Sequence, residues 1–160
     1  MYLISTKKGL YTYDVKLMKV GYDFNIYDAL ILDSAYLVCS PQEGVIYGKE
    51  RITDKECWRL IKIDDEIYAS LAGPIIYDVK RRKVVLDLTE MAKEKGWSFF
   101  SSPPHINDIA YFKGNFVAVM EEGSLLVGEE IEKMKDTGFQ GDMHNVLVYN
   151  DFMLIATAEG

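Results

Sequence analysis

The chain has two imidazoles, His105 and His144, and each sits among polar residues at the head of an apolar, strand-like stretch. Asn107 and Asp108 follow the first, and Asp142 precedes the second. Glu121 and Glu122 occupy a second polar slot, which Gln42-Glu43 and Glu159 fill in similar segments. Imidazole and carboxylate together suit a divalent metal or a cationic ligand. The same residue types at a strand start also bond neighbouring backbone, and then they carry no chemistry. Contact with a ligand or partner is the third reading. The candidate ligand-binding set is therefore His105, Asn107, Asp108, Asp142, His144, Glu121 and Glu122, with no resident metal or other cofactor expected.

Other chemistries find less support. The four arginines, Arg51, Arg59, Arg81 and Arg82, fall into two short neighbourhoods. No acid pair of the kind a glycosidase needs stands out from the 25 scattered carboxylates. Neither histidine accompanies a nucleophile motif, and no phosphate-binding glycine loop occurs. Lys80-Arg81-Arg82-Lys83 is the one basic cluster, read as a solvated hairpin turn. With a net charge of −7 the chain lacks the basic surface that nucleic acid demands.

The elements that must position these residues repeat. Five segments share an apolar strand, a short polar step, a glycine and a second apolar strand. Their marker glycines are Gly9, Gly44, Gly73, Gly123 and Gly160, at intervals of 35, 29, 50 and 37 residues. Propeller blades of four strands repeat roughly every 40–50 residues. The segments from Ile106 and from Met143 align without a gap, and that from Ile26 nearly so. Each passes from a polar pair through a strand and a tight turn (Lys113-Gly114-Asn115, Tyr149-Asn150-Asp151) to the marker strand. Asn, Asp and Gly supply the positive φ that short hairpins require. Marker strands such as Phe116 to Met120 are apolar on both faces, as expected between two layers. Residues 87–96 (DLTEMAKEKG) carry helix start and stop signals, and residues 129–136 are a weaker helical candidate.

The expected fold is all-β: antiparallel propeller-like repeats, about four blades over residues 1–160 as a single domain, with one or two short helical insertions. In a blade, the turn entering the innermost strand and the turn after the second strand share a face. That topology gathers the candidate residues around one channel mouth. By the alignment the chain opens and stops at the second strand of a blade, so the array is either part of a larger ring or pairs with another copy as a dimer.

GVIYGKERITDKECWRL, Gly44 to Leu60, resembles the glycine, aromatic and tryptophan cadence of the BNR or Asp-box repeat propellers of the sialidase-like superfamily. The order around Asp142 to Gly160 is similar too. The Asp and Gly that define an Asp-box are absent before Trp58, and Trp97 follows the helical segment instead. The resemblance implies a propeller. Its sialidase chemistry would need three arginines on a substrate carboxylate, which the arginine placement here does not offer. The expected function is a non-catalytic binding or scaffold module for a ligand or protein partner, with a degenerate glycoside-hydrolase-like enzyme as the alternative.

No apolar run is long enough to cross a bilayer, and residues 1–14 lack the pattern of a signal peptide. The expected compartment is the cytoplasm. Cys39 and Cys57 have no metal-ligand spacing and are expected as buried thiols, with a disulfide the alternative.

Overall fold

Apolar stretches broken every few residues by Gly, Asn, Asp or paired lysines can form only short strands, and the chain folds as a series of them. The computed structural model describes residues 1–33, 35–97, 104–121 and 123–158. Five antiparallel sheets follow in chain order. The first holds β1 (Tyr2–Thr6), β2 (Gly9–Tyr13) and β3 (Leu17–Gly21). The second holds β4 (Asp28–Leu32), β5 (Ala35–Ser40), β6 (Gly44–Tyr47) and β7 (Glu50–Thr53). The third runs β8 (Cys57–Ile63), β9 (Glu66–Leu71), β10 (Ile75–Asp78) and β11 (Lys83–Asp87). The fourth runs β12 (Ile106–Phe112), β13 (Asn115–Met120), β14 (Gly123–Gly128) and β15 (Lys135–Gly141). The last pairs β16 (Met143–Tyr149) with β17 (Phe152–Thr157). Every strand pairs with its sequence neighbour, so each sheet is a meander, and the all-β expectation holds.

Turn chemistry sets the registers. Lys113 and Gly114 both take positive φ between β12 and β13, and Asn150 does so between β16 and β17. Two marker glycines answer to space as well as to φ. A Cβ on Gly44 would stand 2.1 Å from the Thr53 carbonyl oxygen, and one on Gly9 2.0 Å from that of Tyr22. The marker strands β5, β9 and β13 are buried over most of their length, on both faces.

The helical expectation over residues 87–96 is met by α1 (Thr89–Lys95), which Gly96 ends in the left-handed conformation. The Asp87 carboxylate accepts the Thr89 N–H at 2.9 Å. Residues 129–136 hold only a 3-10 turn, Ile131–Lys133, before β15 begins. Lys80, Arg81 and Arg82 form the exposed turn between β10 and β11, as expected. Buried Asp78 anchors that turn by accepting the Arg81 N–H and a guanidinium N–H.

The chain forms two compact units, Met1–Leu60 and Ile61–Gly160. Leu10, Ile26, Val38 and Ile46 centre the apolar core of the first. A larger core, including Ile76, Leu86, Trp97, Ile106 and Leu126, fills the second.

Cys39 and Cys57 are joined in a disulfide, with Cα atoms 5.2 Å apart, which corrects the buried-thiol expectation. The residues lie 18 positions apart on β5 and β8. Only the strand packing brings them together, so their spacing in sequence gives no sign of the pairing.

Candidate functional site

In the second unit the site is built where β12 and β16 begin. Asp108 is buried, and its carboxylate accepts two backbone N–H groups: that of Ile109 at 3.0 Å and that of Val146 at 3.1 Å. Asn107 donates its amide to the Met143 carbonyl at 2.8 Å. These bonds join the two strands with both N-terminal ends on the same side. His105 is buried and partnered. His144, with its side chain 48% exposed, approaches Asp142 at 2.9 Å from Nε2 to Oδ1. That Asp142 oxygen has no hydrogen-bond partner among the described residues. Glu121 follows Met120, which pairs with Ile106, and so belongs to the same end.

His105, Asn107, Asp108, Asp142, His144 and Glu121 therefore gather at one end of adjacent strands. Glu122 lies outside the described residues. Within the group the roles separate: the oxygens of Asp108 and the amide of Asn107 hold backbone, whereas Asp142 and His144 remain at the surface. Among the described residues, no group of three or more His, Cys, Asp or Glu side chains is arranged to hold a metal ion.

The first unit repeats this junction with other residues. The Asp28 carboxylate accepts the Ala29 N–H at 2.8 Å and the Leu60 N–H at 3.0 Å, as Asp108 does for Ile109 and Val146. That equivalence places Tyr27 opposite Trp58 where the other junction has Asn107 and His144. The two rings meet with centroids 5.2 Å apart and planes inclined by 38°. The cysteines of the disulfide correspond to Val119 and Met143, which pack together in the core of the second junction. A carboxylate tie thus recurs, while the cross-strand pair beneath it and the side chains above it change. Extending the Ile106 and Met143 alignment to Cys57 finds the Tyr27–Trp58 position in the sequence. The candidate set built on histidines and acids misses it.

Two groups outside the candidate set have shifted acidities. Burial raises the Tyr22 hydroxyl, which donates to the Gly48 carbonyl at 2.8 Å. Burial also pushes the Asp136 carboxyl upward, but the ammonium of Lys95 and the Gly138 N–H outweigh it, and the group ends below the usual carboxylate range.

No family model and no curated protein matches the chain. Solved structures do. The chain is similar to the computationally designed Ika8 protein at 11% identity and a TM-score of 0.62, over 99% of this chain and 52% of that one. It is similar to the computationally designed Ika4 protein at 11% identity and a TM-score of 0.57, over 88% of this chain and 90% of that one. At such identity the likeness concerns the fold alone. The chain spans about half the length of Ika8.

Proposed function

We propose that the five sheets are propeller-type blades and that the chain is a non-catalytic binding module, engaging a protein partner or ligand at the rim where inner strands begin. One observation carries this reading. At both junctions an aspartate, buried at Asp108 and half-buried at Asp28, holds two backbone N–H groups, while the residues beside it, His144 with Asp142 and Tyr27 with Trp58, are at least partly exposed and differ in chemistry. A structural frame with variable accessible side chains suits recognition. The test is to express the chain with Asp142→Asn and His144→Ala beside the unmodified protein and compare the partners each retains. Loss of a partner common to neither variant supports the reading, and identical partners overturn it.

Self-association belongs to the same proposal. β17 has no strand on its outer edge among the described residues, and Phe152 and Leu154 are 69% and 55% exposed along it. Tyr2, Leu17 and Met18 are exposed in the first sheet. Exposed apolar edges of this kind invite strand pairing. A dimer is expected by light scattering at tens of micromolar, with Leu154→Lys shifting it to monomer; a monomer throughout counts against pairing. No helix among the described residues is long and apolar enough to cross a membrane. A cytoplasmic setting fits the disulfide only where the cytosol tolerates such bonds, and otherwise an oxidising compartment suits it better.

A further inference from the structure

We propose that the Tyr27–Trp58 ring pair, with Glu56 two residues before Trp58, is the docking point for a cationic side chain, arginine or lysine, of a protein partner. The inference rests on the binding-module reading and adds a second contact point, chemically distinct from the histidine site.

The rings are accessible and pre-set. Tyr27 is 42% exposed and Trp58 half-buried. Their backbones are tied on three sides. The Tyr27 N–H donates to the Cys39 carbonyl at 2.9 Å, the disulfide joins Cys39 to the residue before Trp58, and Asp28 holds Leu60, two residues beyond it. A surface held this firmly loses little conformational freedom on binding, which is where flexible surfaces forfeit affinity.

The ring pair is not what the junction needs to form. The equivalent junction is built with Asn107 and His144 in these positions and keeps the same carboxylate tie. Two large aromatic rings at an accessible position that polar residues can also fill are surplus to the architecture. Tyr and Trp are the residue types that anchor protein interfaces.

Charge selects the partner. Glu56 stands two residues before Trp58, as Asp142 stands two before His144, and that second pair meets at 2.9 Å. Glu56 thus holds the backbone position relative to Trp58 that Asp142 holds relative to His144; it is half-buried and has no ion pair among the described residues. Glu43, in the turn after β5, is already neutralised by Arg51. An aromatic face beside an unneutralised carboxylate attracts guanidinium and ammonium groups through the ring quadrupole and the charge together. The chain's net charge of −7 favours approach of a basic partner.

The experiment uses the whole chain and a labelled, capped peptide, Gly-Ser-Arg-Ser-Gly, followed by fluorescence anisotropy. Parallel peptides carry lysine or neutral citrulline in place of arginine. The arginine and lysine peptides are expected to bind, and the citrulline peptide more weakly by about 3- to 30-fold, the range of a cation on an aromatic face. Tyr27→Leu and Glu56→Gln should each weaken the arginine peptide several-fold, with Glu90→Gln, exposed on α1, leaving it unchanged. Near-ultraviolet circular dichroism of each variant confirms folding, and Trp58→Phe, which keeps a ring, should fall between wild type and Tyr27→Leu. Equal affinity for arginine and citrulline peptides, indifference to Tyr27→Leu, or no binding at all overturns the assignment. None of these outcomes touches the module reading, which stands or falls on the Asp142 and His144 variants.

Discussion

Breaking the Cys39–Cys57 disulfide should cost the first unit most of its covalent constraint without disturbing its packing. The bridge spans 18 positions and joins β5 to β8. Loop closure of that length restricts the unfolded chain by about 3 kcal/mol. At a urea dependence of about 2 kcal/mol per molar, typical for a chain of this size, the unfolding midpoint should fall by roughly 1–2 M on reduction. The two sulfurs are fully buried, so simple removal would add a packing defect to the entropic loss. Cys39→Val with Cys57→Met separates the two, because Val and Met occupy the same places at the second junction. That double variant should match the reduced wild type to within about 1 kcal/mol, since the swap keeps the site apolar. The measurement is urea unfolding followed by near-ultraviolet circular dichroism, with and without a phosphine reductant. A midpoint indifferent to reduction, or two free thiols in the denatured but unreduced protein, would refute the reasoning.

Three other outcomes are expected. Asp108→Ala leaves the N–H groups of Ile109 and Val146 without their acceptor in a buried site, and stability should drop by about 2–4 kcal/mol; denaturant unfolding checks this, and a loss below about 0.5 kcal/mol would contradict the tie. Asp136→Asn should destabilise by about 1–2 kcal/mol at neutral pH. The carboxyl's folded pKa is lowered, so its stabilisation is complete above the unfolded value near 4 and is lost as pH falls through the folded one; the gap between variant and wild type should close in acid. A purified preparation should hydrolyse neither sialosides nor aryl glycosides, and turnover abolished by mutating a single acid would revive the enzyme alternative.

Much of the fold is legible because hairpin chemistry is local. Gly44, Lys113-Gly114 and Asn150 announce turns whose geometry few other residues tolerate, and the gapless alignment from Ile106 and Met143 carries strand order with it. The α1 segment is equally local, with Asp87 and Gly96 marking its ends. What escapes the sequence is contact between strands distant along the chain. Asp108 reads as a candidate ligand because carboxylates bind cations, yet its oxygens meet the Val146 N–H, 38 positions on. The disulfide escapes for the same reason. Residues 129–136 mislead differently: charged residues of good helix propensity surround Ile131 and Met134, but both side chains are buried, and β15 takes over from Lys135.

On the binding-module proposal, the two junctions divide recognition from stability between neighbouring residues. An Asp fixes the strands in each, buried at Asp108 and half-buried at Asp28, and its tolerance for change should be low, since losing it strands two N–H groups. The pair beneath it is covalent in one case and apolar packing in the other. At the neighbouring positions the side chains differ, and Tyr27–Trp58 stand where Asn107 and His144 stand in the other junction. On that proposal such a repeat alters what it binds, one junction at a time, while the tie that positions the new side chains is untouched. Exchanging the pairs tests the division directly: Tyr27→Asn with Trp58→His should keep the urea midpoint within about 0.5 M of wild type while abolishing discrimination between arginine and citrulline peptides. If stability collapses instead, the rings belong to the frame, and recognition and support are not separable at this junction.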